Sequence, residues 1–146
     1  MSYNGFDIKE VGGVPYLFAA GGGRRAFGFF MSCNLETFVC REQNITDTRS
    51  VVRWAGRLSV NNEGNMVYFS NRLQNNLEGY SLTRNADEFT LGTRQRQCTA
   101  SNAPNLTSEL AIPFGVEVSP ADSNIVYTTS VFSHAIQKIQ ISNSTT

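Results

Sequence analysis

The sequence predicts an all-β chain assembled from three tandem units of about four strands each. Three observations predict it. Short alternating or apolar runs, bounded by Gly, Pro, Asn, Asp and Ser, occur along the whole chain. No stretch of ten or more residues shows helical spacing of its apolar positions. A pattern of strand, polar turn and strand returns after fifty to sixty residues.

The repeat is clearest between the second and third units. Arg57-Leu58-Ser59-Val60, a polar turn and Met66-Val67-Tyr68-Phe69-Ser70 match Gly115-Val116-Glu117-Val118, a polar turn and Ile125-Val126-Tyr127-Thr128-Thr129. Val60 precedes Val118 by 58 residues, and Tyr68 precedes Tyr127 by 59. Leu77 and Tyr80 precede Ile136 and Ile139 by the same 59. The first unit is a weaker copy. Phe6 and Ile8 stand 52 residues before Leu58 and Val60, and Phe18, Phe27 and Phe30 stand 50 before Tyr68, Leu77 and Tyr80. The small difference falls at the Gly12-Gly13 turn.

Each unit opens with an alternating strand, over Phe6–Val11, Arg57–Val60 and Gly115–Val118. An apolar strand follows, over Tyr16–Ala20, Met66–Ser70 and Ile125–Thr129. The third strands are Ala26–Met31, Leu77–Leu82 and Ala135–Ile141, and the fourth are Thr37–Arg41 and Phe89–Arg94. The third unit is expected to lack its outer strand, because the chain ends at Thr146. Short strands at this interval build sandwiches, barrels or propellers, and a four-stranded repeat selects a partial β-propeller of about three four-stranded blades. The units span approximately residues 5–44, 56–97 and 113–142 of a single domain over 1–146. Long polar segments, Glu42–Gly56 and Gln95–Phe114, join them.

Composition narrows the partners. The 146 residues carry a formal net charge of zero and only 16% charged side chains, which argues against nucleic acid. Lys9 and Lys138 are the only lysines; the arginines, including Arg49, Arg53 and Arg57 in a connection and Arg94 and Arg96 in a strand, read as solvated or ion-paired surface. No run approaches the ~18 apolar residues of a membrane span. The start of the chain shows no charged-then-apolar leader, which fits a cytosolic protein or a mature piece of a longer secreted one.

Pro113-Phe114-Gly115-Val116-Glu117-Val118-Ser119-Pro120, then Asn124-Ile125-Val126-Tyr127-Thr128-Thr129, then His134-Ala135-Ile136-Gln137-Lys138-Ile139 resembles one blade of an NHL-type or YVTN-type propeller. Met66–Arg72 with Leu77–Tyr80 resembles another, and the pattern is also similar to lactonase-like propellers and to the yellow/royal-jelly group. The resemblance is specific for architecture, since such blades serve enzymes, ligand binders and scaffolds alike. In lactonase-like propellers, carboxylates and amides at the channel hold a divalent cation. The resemblance thereby implies Glu117 and Asn61 as candidate oxygen ligands for a cation such as calcium, set against an ion-paired or solvated channel residue. No other cofactor is expected.

The remaining motifs read as structure. Gly21-Gly22-Gly23-Arg24-Arg25-Ala26 loosely satisfies a dinucleotide fingerprint, but it lies between two strands and reads as a hairpin turn. His134 is the only histidine, reads as a turn residue, and has no nucleophile placed beside it by sequence. Trp54, beside Arg53 and Arg57, reads as a core plug between units rather than an exposed contact. Cys33 and Cys40 could face each other across a hairpin as a disulfide, and Cys98 has no evident partner. Asn44, Asn105 and Asn143 open glycosylation sequons in the connections and the tail.

Three functions follow from this reading. The leading one is a structural or interaction protein that packs with other copies of itself or with further blades in an extracellular, glycosylated assembly. The alternatives are a fragment of a lactonase- or hydrolase-type propeller enzyme, and a propeller that binds a ligand or glycan. The first leads because no catalytic constellation assembles from the sequence.

Overall fold

The computed structural model describes residues 3–23, 26–45, 55–71, 75–98, 113–130 and 135–141. Eleven strands are present among them. The first sheet contains β1 (Tyr3–Val11), β2 (Val14–Gly23), β3 (Ala26–Asn34) and β4 (Cys40–Asn44) in that order. The second contains β5 (Ala55–Val60), β6 (Met66–Asn71), β7 (Asn76–Asn85) and β8 (Glu88–Cys98). The third contains β9 (Pro113–Val118), β10 (Ile125–Ser130) and β11 (Ala135–Gln140). All neighbouring strands are antiparallel meanders, and the chain is an all-β partial propeller of three blades.

The ladders establish which residues are equivalent. Asp7 pairs with Phe18 and Phe18 with Ser32. Ser59 pairs with Tyr68 and Tyr68 with Gly79. Glu117 pairs with Tyr127 and Tyr127 with Lys138. One rung thus crosses all three blades at Phe18, Tyr68 and Tyr127, the offsets expected from the sequence. The third strand of the first blade departs from expectation. Ser32, not Phe29, stands where Gly79 stands, an offset of 79 − 32 = 47 rather than 50. Phe30 is therefore equivalent to Leu77 and not to Tyr80. The β2–β3 ladder runs on to Gly23 and Ala26, so this hairpin is longer than β6–β7 and takes up the three residues.

The fourth strand of the first blade also begins later than expected, at Cys40 instead of Thr37. The side chain of Asn34 captures the preceding segment: its Oδ1 accepts from the amides of Glu36 at 2.8 Å and Thr37 at 3.1 Å. Phe38 closes the turn at φ 57°. Cys33 and Cys40 then face each other across the β3–β4 ladder and are joined as a disulfide. Gly12 and Gly13, both at positive φ, connect the paired Val11 and Val14, the backbone that a two-residue type I′ turn requires.

Two cores hold the blades together. Tyr16, Phe18, Ala20 and Phe30 of the first blade pack on Leu58, Val60, Val67, Phe69 and Phe89 of the second. Its rings interlock edge to face, with Tyr16–Phe89 centroids at 4.9 Å and Phe18–Phe89 at 5.0 Å. Tyr68 and Leu77, on the opposite face of the second blade, pack on Val116, Val118, Val126 and Ile139 of the third. The inner pair β6 and β7 contributes to both seams and is buried on both faces.

Candidate functional site

The innermost strands carry a line of polar groups between apolar neighbours. Asp7 lies between Phe6 and Ile8, Ser59 between Leu58 and Val60, and Glu117 between Val116 and Val118. The Asp7 carboxylate accepts the backbone N–H of Val60 at 2.9 Å, reaching from the first blade to the second. The Ser59 hydroxyl oxygen accepts the backbone N–H of Val118 at 3.0 Å, reaching from the second to the third. The same hydroxyl donates to Asp7 at 3.5 Å, so one hydrogen-bonded line joins all three inner strands. A second line runs nearby. Lys9 Nζ donates to Asn62 Oδ1 at 3.4 Å, and Asn62 Nδ2 donates to the carbonyls of Ser119 and Pro120 at 3.3 and 3.1 Å.

Glu117 stands third in the first series, and its side chain is exposed. Its carboxyl pKa is raised above the ordinary value, first by partial burial and then by the Asp7 carboxylate, with Lys9 acting in the opposite sense. A raised carboxyl pKa means that folding favours the protonated form, so this charge costs stability as pH rises through the shifted value. Asn61 is elsewhere. Its Oδ1 accepts the amides of Asn65 at 3.0 Å and Met66 at 2.9 Å, and its Nδ2 donates to Glu63 and Asn65, each at 2.7 Å. These bonds shape the β5–β6 turn. Asn61 also lines a polar groove of about 340 Å³ with Glu63, Gln95, Ser123 and Asn124, and Glu117 is not part of its wall. Among the described residues no three His, Cys, Asp or Glu side chains gather as a metal site.

A buried charge lies within the second blade. Glu78 is fully buried and accepts from Tyr80 Oη at 2.9 Å, Asn76 Nδ2 at 3.3 Å and Asn71 Nδ2 at 3.5 Å. Arg94 Nη1 lies 3.6 Å from it, with that side chain only 16% exposed. The sequence reading placed Arg94 on the surface. It is ion-paired, one of the two expectations for the arginines, but half-buried against a carboxylate that is wholly buried.

The two ends of the arc repeat the seams without a blade against them among the described residues. On the leading face, Phe6 and Ile8 are 62% and 58% exposed, whereas Leu58, Val60, Val116 and Val118 on the same rungs are at most 6% exposed. Leu17, Ala19 and Met31 extend this apolar surface, and with Tyr3, Phe6 and Arg57 they border a groove of about 590 Å³. On the trailing face, Tyr127 and Ile136 are 38% and 76% exposed, whereas their equivalents Tyr68 and Leu77 are 4% and 1%.

Among the sequon residues, Asn44 is exposed at the end of the outermost strand of the first blade. Asn105, Asn143, His134 and Trp54 lie outside the described residues, as do Arg24 and Arg25. The Gly-rich segment around them is a hairpin, with Gly23 paired to Ala26. The sequence reading missed Asp7 and Ser59. Their signal was present: each is the polar residue between the two apolar positions that define the repeat.

No helix among the described residues is long and apolar enough to cross a membrane. No family model matches the sequence, and no curated protein matches it. Among solved structures, the chain is similar to a chain of Kuenenia stuttgartiensis hydrazine synthase, with a TM-score of 0.53 and 11% sequence identity. The match covers 92% of this chain and 45% of that one, so this chain spans less than half the length of that neighbour. The likeness at this identity is one of fold alone.

Proposed function

We propose that this chain is a structural or interaction module: a set of propeller blades that packs, through its end faces, with other copies or with further blades in an extracellular, glycosylated assembly. One observation carries the reading. The residues exposed at both ends occupy rungs whose equivalents are buried wherever another blade follows or precedes. Fully covering a large apolar side chain is worth ~1.5–3 kcal/mol, so the two exposed on each end are worth a sizeable share of the stability of a small domain, ~5–15 kcal/mol. Contiguous apolar surface of this kind marks interfaces. The exposed Asn44 sequon and the Cys33–Cys40 disulfide favour an oxidising, extracellular setting.

Native mass spectrometry and sedimentation of the 146-residue chain, produced by a secreting host, test this reading. The expected result is an associated species at micromolar concentration, with added glycan mass at one or more of Asn44, Asn105 and Asn143. A soluble, cooperatively folding monomer would sink the proposal of end-face assembly. An associated but unmodified chain would remove the glycosylated part alone.

A further inference from the structure

Resting on the reading of the end faces as protein contacts, we propose that the occupant of each is a second copy of this chain, joined head to tail, with Glu117 accepting the backbone N–H of the partner's Ile8. The series of inner-strand acceptors specifies the contact. Asp7 accepts from Val60 in the next blade, and Ser59 accepts from Val118 in the next. Glu117 is the third member of the series by ladder register. Ile8 stands on the rung of Val60 and Val118, paired to Leu17 as they are to Val67 and Val126. A blade that follows Glu117 in the same geometry therefore presents an N–H at this position, and the leading blade of this chain supplies one.

The apolar surfaces match in the same way. Tyr127 and Ile136 occupy the rungs of Tyr68 and Leu77, which seat Val116, Val118 and Val126. Phe6, Ile8 and Leu17 occupy the rungs of those three valines. Each end of the chain thus carries the complement of the other, and the contact between copies continues the seam already made twice within one copy. Two copies of the three blades described make six, inside the range of four to eight in which propellers close. A two-fold axis then produces two identical seams and leaves no open end. Within a single copy partial burial, and after it the Asp7 carboxylate, disfavour the ionised form of Glu117; an N–H donor from the partner acts in the opposite sense.

Sedimentation equilibrium of the full chain and of three variants tests the seam. The wild type is expected as a dimer of twice 16.1 kDa. Phe6→Glu spoils the leading face and Tyr127→Glu the trailing one. Each alone is expected to weaken the dimer by at least about 100-fold, because a charge replaces an apolar contact in both seams. Mixed one to one, the two variants are expected to associate again, because their heterodimer retains one wholly wild-type seam. Glu117→Ala is expected to weaken the dimer about 10-fold or more while leaving the apolar surfaces intact. Both glutamate substitutions replace exposed residues, and a thermal melt of each variant verifies folding. A dimer that survives either single substitution, a mixture that does not associate, or an open-ended polymer overturns the head-to-tail pair and leaves the interaction reading standing. A cooperatively folded wild-type monomer at micromolar concentration overturns both.

Discussion

Replacing Phe69 by alanine is expected to cost about 3–5 kcal/mol of folding stability, enough to unfold much of the chain at physiological temperature. Phe69 is fully buried where the first two blades meet. Its ring lies 6.2 Å from Phe30 of the first blade and 5.6 Å from Tyr80 of its own, both edge to face. Removing it opens a cavity between two sheets, and neither backbone ladder can move in to fill it without breaking its own register. Phe38 serves as the control. It is 79% exposed on the β3–β4 turn, in a left-handed conformation that a non-glycine residue already adopts, and Phe38→Ala is expected to change stability by no more than about 0.5 kcal/mol. Urea denaturation at one fixed protein concentration makes the comparison, since association adds to apparent stability. A Phe69→Ala cost below about 1 kcal/mol would mean that the first two blades do not pack as described.

The sequence carried the strands and the repeat because first and second strands keep a constant phase between units. Apolar residues flank one polar residue on each inner strand, and Phe18, Tyr68 and Tyr127 share one rung. The third strand of the first unit was legible as a strand, but its register was not. Phe29 and Phe30 are both buried, one on each face, so this strand reads as a continuous apolar run with no phase to fix its register. The three-residue spacing of Phe27 and Phe30 imitates that of Leu77 and Tyr80, and only the paired backbone shows that the hairpin is longer.

The candidate site was half legible for a similar reason. Asp7 and Ser59 differ in chemical type, and their common task, accepting an N–H from the next blade, appears only when the ladders make them equivalent; Glu117 holds the same register position in the third blade. Glu117 is a candidate cation ligand only through the resemblance to lactonase-like propellers; the ladders place it at the register position of Asp7 and Ser59. Arg94 was hidden by irregular pairing. The register of β7 with β8 shifts on both sides of Tyr80, so the alternation of β8 does not reveal which arginine turns inward.

Removing the Glu78 carboxylate is expected to match or exceed the effect at Phe69. Glu78→Ala takes the acceptor away from the Tyr80 hydroxyl and two asparagine amides, and it deprives the nearly buried Arg94 guanidinium of its carboxylate. Breaking a buried ion pair from one side costs about 3–5 kcal/mol, chiefly because the remaining charge stays in a medium that solvates it poorly. Replacing both members by apolar side chains need not cost as much, since that removes the stranded charge together with the desolvation penalty. Glu78→Met with Arg94→Met is therefore expected to be more stable than Glu78→Ala by about 2 kcal/mol or more. Glu78→Gln is expected to fall between Glu78→Ala and the wild type, because it keeps a hydrogen-bond acceptor for Tyr80 but not the charge. Thermal or urea melts of the three variants decide the order. If Glu78→Ala alone costs less than about 1 kcal/mol, the carboxylate is solvated and the buried pair does not form. If the double variant is no better than the single one, the loss comes from the hydrogen bonds to Tyr80, Asn71 and Asn76 and not from the stranded arginine.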